Sequence, residues 1–205
     1  MGVFDTIFGR TKPVKPDLDQ LFAIPSASIT LEASLGFTPT GVGSVCFRAP
    51  EGKAFADLQS EITALLNVDG GPDVQIENDA FGYTWLVVHA DPTDIAGLVT
   101  DLHAVNSSLS DAGFGPQLLA SLVSFRDASG RKLGLVYLFK RGTFYPFVPV
   151  EPVGEAPVVS AHPDLPAPQQ RDNVLELQVR DLLRDDVRVE PELNRWFAVW
   201  GAPGF

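Results

Sequence analysis

The chain has 205 residues, 45% of them hydrophobic and 20% charged, enough to build a core in one domain with tails or at most two small domains. A formal net charge of −11 repels phosphate backbones, which excludes ordinary nucleic-acid binding and disfavours broad adsorption to anionic lipid. A lone cysteine, Cys46, excludes an intramolecular disulfide and suits a reducing compartment.

Residues 1–9 carry Val3, Phe4, Ile7 and Phe8 at roughly helical spacing until Gly9. Met1–Phe8 is too short and too acidic for a secretion signal, and no apolar run approaches the ~20 residues that span a bilayer, so a cytoplasmic protein is expected. Met1-Gly2-Val3-Phe4-Asp5-Thr6 fits the loose N-myristoylation pattern, which has meaning only where the transferase exists. Arg10-Thr11-Lys12-Pro13-Val14-Lys15-Pro16 reads as a basic linker, because the prolines bias the residues before them to extended backbone.

Asp17 begins a short helix carrying Leu18, Leu21 and Phe22 and ending before Pro25. Ile29–Ala33 alternates and reads as a strand, Gly36–Gly43 as a turn, and Ser44–Arg48 as the next strand. Phe55, Leu58, Ile62, Leu65 and Leu66 form one stripe and predict a helix over 54–67, broken by Asp69-Gly70-Gly71-Pro72. Val74–Glu77 is a short strand, and the apolar run Tyr83–Ala90 is a strand covered on both faces. Asp91 as N-cap, Pro92 at the first position and Asp94 as a capping-box acid open a helix over 93–112. Its stripe is Ile95, Leu98, Val99, Leu102, Val105 and Leu109, and Gly113 ends it. Leu118–Arg126 and Lys132–Lys140 form a hairpin through Asp127-Ala128-Ser129-Gly130.

The resulting ββαββαββ order predicts an α+β fold: one antiparallel sheet of about six strands with two helices on one face, plus a C-terminal helical appendage. Residues 142–169 hold seven prolines and read as an extended connection, followed by a helix over 171–184. The chain thus divides into an N-terminal helix and linker (1–16), an α+β domain (17–148), a proline-rich connection (149–169) and a helical segment with an aromatic end (170–205).

Little of this points to catalysis. His89, His103 and His162 share no ligand spacing, and with Cys46 as the single thiol no zinc pattern exists. The G-x-S-x-G, P-loop and dinucleotide fingerprints are absent, and most carboxylates stand at helix starts and loops, where they cap or are solvated. No catalytic residue, metal or cofactor is assigned, and the chain reads as a non-enzyme.

Binding features are stronger. Lys140-Arg141-Gly142-Thr143-Phe144-Tyr145-Pro146-Phe147 sets two cations beside three aromatics, with Arg141 and Tyr145 the candidates for holding an acidic peptide or small anion, unless the aromatics only cover a sheet edge. The Phe4, Ile7 and Phe8 face, followed by basic residues, suits a partner groove, a weak membrane contact or the protein's own domain. In the terminal Asn194-Arg195-Trp196-Phe197-Ala198-Val199-Trp200-Gly201-Ala202-Pro203-Gly204-Phe205, the residues Leu193, Trp196, Phe197 and Trp200 fall on one helical face closed by Gly201 and Pro203. That face reads as a latch on the protein's own body or on an identical subunit of a homodimer, ahead of a free docking peptide or a membrane anchor.

Three segments carry a resemblance: Met1-Gly2-x-Phe4-Asp5-x-x-Phe8-Gly9-Arg10-Thr11-Lys12-Pro13, Pro39-Thr40-Gly41-Val42-Gly43, and Arg171-Asp172-Asn173 leading to Arg195-Trp196-Phe197-Ala198-Val199-Trp200-Gly201-Ala202-Pro203. With these the chain resembles the PspAB family, phage-shock-protein-A-associated proteins of actinobacteria and related microbes, over essentially its full length. The resemblance implies a cytoplasmic accessory, recruited to the inner face of the membrane, of a stress system built on PspA, a coiled-coil protein that coats and remodels membranes. It also implies grouping with a membrane-bound HtpX-like zinc protease, and it carries no catalytic residues. The first functional expectation is therefore an adaptor of the envelope-stress response with a PspA-type protein partner. The alternatives are a small-ligand or anion-binding domain using the Lys140–Phe147 cluster, and an enzyme with His89 or His103 beside a carboxylate in a cleft.

Overall fold

The structure, a computed structural model, describes residues 16–48, 57, 60, 64, 73–150 and 169–205. Phe4, Ile7 and Phe8, the basic linker through Lys15, and most of the proline-rich connection lie outside the described residues. A 3-10 turn over Leu18–Ala23 runs directly into helix α1, Ile24–Leu35. The expected strand Ile29–Ala33 is therefore helical. Pro25 sits in the first turn of α1, where a missing N–H costs nothing, so it starts a helix rather than ending one. Leu21, Ile24, Ala27, Ser28 and Leu31 are buried at helical spacing, whereas Ile29 is 71% exposed, so burial of that stripe outweighs the β-preference of Ile29 and Thr30.

Strand β1, Thr38–Phe47, takes in most of the stretch expected to be a turn. Its pairing with β4 shifts register between Pro39 and Gly43, a bulge that absorbs the glycines. Gly41 has φ +79°, its carbonyl accepts from Ala90 N at 2.8 Å, and a Cβ there would overlap Ala90 O. At Gly43 a Cβ would lie 2.8 Å from Leu102 Cδ1, so the missing side chain is what lets a helix lie close on the strand. Asp57, Ser60 and Ala64 are helical and exposed, on the outer side of the helix expected over 54–67; its apolar stripe lies outside the described residues.

Strands β2 (Asp73–Asn78), β3 (Thr84–His89), β4 (Leu118–Arg126), β5 (Lys132–Leu138) and β6 (Thr143–Phe147) complete one six-stranded sheet in the order β2-β3-β1-β4-β5-β6. Every adjacent pair is antiparallel, the α+β sheet of six expected. The membership differs from expectation: Ile29–Ala33 drops out and Thr143–Phe147 enters. Pro146 hid that sixth strand, and it is tolerated because β6 is the outermost strand, with β5 as its one ladder partner in the sheet. A short pair, β7 (Pro149–Val150) with β8 (Gln170–Arg171), bridges the two ends of the proline-rich connection.

Helix α2, Ile95–Leu109, is capped by Asp94, whose carboxylate accepts from Gly97 N at 2.8 Å. The expected cap, Asp91, instead closes the preceding turn, accepting from Thr93 N at 2.8 Å and from Thr93 Oγ1 at 2.6 Å. Helix α3, Asn173–Leu183, is capped by Asp172, which accepts from Leu175 N at 2.9 Å. Helices α1, α2 and α3 share one core with one sheet face, through Leu31, Val45, Leu86, Leu98, Leu102, Val123, Leu135, Phe144 and Val179. The opposite face, with Cys46, Val87, Leu122, Val136, Tyr145 and Phe147, is covered by Trp196, Ala202 and Phe205 from the C-terminal segment.

Candidate functional site

The alternation of β6 decides where its aromatics go. Phe144 turns to the helical face, against Tyr137 at 5.1 Å between ring centroids, while Tyr145 and Phe147 turn to the other face. The free side of β6 is paired by the chain itself: Phe144 N donates to Arg188 O at 2.8 Å and Glu190 N to Phe144 O at 2.7 Å.

At this junction lies Glu190, with no exposed surface. Its carboxylate accepts from Thr143 Oγ1 at 2.7 Å, Arg141 Nε at 3.1 Å, Glu192 N at 3.2 Å and Arg195 Nη1 at 3.3 Å. Burial alone would raise the Glu190 pKa; the donors, Thr143 first, outweigh it and hold the carboxyl below its usual range. A second buried carboxylate, Glu176 on α3, accepts from Val148 N at 2.9 Å and Arg171 Nε at 2.8 Å. Arg171 continues to Trp196 O at 2.7 Å and lies over the Phe147 ring at 5.1 Å. Two acids and three guanidiniums thus bolt the terminal segment to the sheet edge, with the geometry that makes buried charge tolerable.

The aromatic end is seated on this frame. Trp196 stacks on Tyr145 at 6.1 Å and 21°, and its indole N–H donates to Glu190 O at 3.0 Å. The Tyr145 hydroxyl, pushed to a higher pKa chiefly by burial, donates to Phe197 O at 3.0 Å. Trp200 meets Phe147 edge-on at 4.9 Å, and the Phe205 ring fills the space over Gly134. The expected terminal helix does not form beyond a 3-10 turn at Leu193–Arg195. The carbonyls of Trp196 and Phe197 serve Arg171 and Tyr145 instead of a helical ladder, and Leu193 and Phe197 face solvent at 53% and 61% exposure, so the four apolar residues share no single face.

The sequence candidates Arg141, Tyr145, Trp196, Phe197 and Trp200 therefore meet in one place. Within it, Arg141 Nε and the Tyr145 hydroxyl are engaged by Glu190 and Phe197 rather than held open for a ligand. Sequence reasoning missed Glu190 and Glu176. The cue for Glu190 was the pair of arginines, Arg141 and Arg195, that needed a common acid.

Of the two histidines among the described residues, His103 stands beside a carboxylate: Nε2 lies 3.5 Å from Asp19 Oδ1, Nδ1 is 3.4 Å from Ser107 Oγ, and the Phe22 ring packs at 4.9 Å. Asp19 is 88% exposed, and Ser107 lies in the last turn of α2, where backbone N–H groups are spent in the ladder and offer no oxyanion site. Burial, aided by Asp79, pushes the Cys46 thiol up to about 12, far from a reactive thiolate. Among the described residues no group of three or more His, Cys, Asp or Glu side chains could hold a metal ion. No helix among them is long and apolar enough to cross a membrane.

The fold and site define a class: an α+β protein whose antiparallel sheet is closed on one face by helices and on the other by its own C-terminus, with its charged cluster built as a clasp. The profile of the family described as PspA associated protein B matches residues 1–204, and the chain belongs to that family. Neither the search of curated proteins nor that of solved structures returned a match.

Proposed function

We propose that the protein is a non-enzymatic accessory of a PspA-type membrane-stress response, acting on the cytoplasmic side by binding a protein partner. The observation that carries this reading is the match to the PspA associated protein B family over residues 1–204. The site agrees with it: the Nε of Arg141 and the Tyr145 hydroxyl point into the protein's own clasp, through hydrogen bonds of 3.1 Å and 3.0 Å. The carboxylates of Glu190 and Glu176 each accept from an arginine, an arrangement that supports a geometric role for the cluster. Purified protein mixed with the PspA-type protein of the same cell should give a co-eluting complex on size exclusion. Independent elution at tens of micromolar, with no shift in either peak, would refute the proposal.

A further inference from the structure

The clasp leaves one part of itself outside. Leu193 and Phe197 are 53% and 61% exposed although the backbone that bears them is fixed on several sides. Trp196 is pinned by its indole N–H to Glu190 O at 3.0 Å, Trp196 O by Arg171 at 2.7 Å, and Phe197 O by Tyr145 at 3.0 Å. Two apolar side chains on an already ordered backbone present contact area without a backbone-ordering cost on binding.

Their surroundings have a sign. Arg141 and Arg195 flank Glu190, and each arginine side chain is 41% exposed with one guanidinium nitrogen in the clasp. One buried carboxylate between two guanidiniums leaves a surplus of positive charge, and exposed Lys140 adds to it. Glu192, also exposed, is the acid at the rim. In a protein of net charge −11 this is a local reversal of sign.

The mode of contact is also restricted. Strand addition would need the outer backbone of β6, which Arg188 O and Glu190 N already occupy at 2.8 and 2.7 Å. A partner at this edge must therefore bind by side chains, and apolar knobs edged by cations match an amphipathic helix whose apolar stripe is edged by acids. We infer that Leu193 and Phe197, framed by Lys140, Arg141 and Arg195, form the docking surface for an acidic amphipathic helix. As the partner interface of the proposed accessory role, this inference rests on that reading.

The test uses the full chain and two probes: the PspA-type protein, and a synthetic peptide of roughly 20 residues with a Leu stripe edged by Glu and Ala elsewhere, long enough to hold a helix. The variants are Leu193→Ser with Phe197→Ser, Lys140→Glu, and Ile29→Ser as a control on α1; all four side chains are exposed, so the fold is kept, as circular dichroism will verify. By titration calorimetry, wild type and Ile29→Ser should bind both probes, the double variant at least about tenfold more weakly, and Lys140→Glu several-fold more weakly with a flatter salt dependence. Equal binding by wild type and the double variant, or an equal loss in Ile29→Ser, overturns the docking surface and leaves the accessory role standing. Binding of the peptide without the PspA-type protein does the reverse. Binding of neither overturns both.

Discussion

Replacing Glu190 by Gln isolates the charge at the centre of the clasp, because the side chain keeps its shape. One carboxylate oxygen serves Thr143 and Arg141 at 2.7 and 3.1 Å, the other Glu192 N and Arg195 at 3.2 and 3.3 Å. Whichever way the amide of Gln turns, its NH2 replaces one of these acceptors and faces donors, so a charge-assisted bond is lost on that side and weakened on the other. Such bonds contribute about 1.5–3 kcal/mol each, and breaking a buried pair costs about 3–5 kcal/mol. Both arginine side chains are 41% exposed and recover part of their hydration, so the expected loss is about 2–4 kcal/mol. In urea, with a slope near 2 kcal/mol/M, the midpoint should fall by about 1–2 M, followed by the fluorescence of Trp196 within the clasp. The pH dependence gives a second reading. The folded pKa of Glu190 lies below its ordinary 4.5, so its contribution is present above pH 4.5 and lost as pH falls through the lower folded value. The stability gap between wild type and Glu190→Gln should therefore narrow below pH 4.5. A gap under about 0.5 kcal/mol at pH 7, or one unchanged down to pH 3, would show that the carboxylate does not hold the segment in place.

Three further outcomes follow from single positions. Gly41→Ala must place a Cβ against Ala90 O at a backbone of φ +79°, and should lose about 2–4 kcal/mol in thermal unfolding, more than an ordinary surface change. Cys46, buried with its thiol pushed up to about 12, should resist Ellman's reagent at pH 8 in the native protein and react fully in guanidinium chloride. Asp79 accepts from Phe81 N, Tyr83 N and Trp85 Nε1 at 2.8–2.9 Å and so holds the β2–β3 turn. Asp79→Asn should cost about 1–2 kcal/mol, and since these hydrogen bonds overcome burial to hold the carboxyl below its usual range, that cost should shrink as the pH falls below it.

The fold was legible where one physical signal acted alone. The β4–β5 hairpin and α2 follow from period and turn chemistry, and both are in place, with α2 starting at Ile95 and ending at Leu109. Misreadings occurred where two signals competed. Ile29–Ala33 has the residues of a strand but belongs to a stripe that begins at Leu21, ahead of Pro25. Thr143–Phe147 has the alternation of a strand but contains Pro146, and only the sheet order shows that proline to be on an outermost strand. The site was half legible: aromatic abundance pointed to Tyr145, Trp196 and Trp200, while Glu190 and Arg195 look like ordinary surface charges until residues 188–190 are laid along β6. Pairing of that kind, between residues more than forty positions apart, leaves no local period.

The family segments and the clasp bear on each other. Gly41 and Gly43 accommodate a bulge and a helix, Asp172 caps α3, Arg171 bridges Glu176 to Trp196, and Trp200 packs on Phe147. Each of these residues is accounted for by what it holds in the protein's own fold. Phe197 is not: within the same segment it gives its carbonyl to Tyr145 and turns its ring to solvent. An aromatic ring left in water gains nothing from the fold, while the same ring would yield about 1.5–3 kcal/mol when buried. A segment that seals the sheet inward and exposes Phe197 beside Arg195 and Arg141 therefore does two things at once. It removes the edge of β6 as a place for strand addition, and it fixes the backbone from which the Phe197 ring projects.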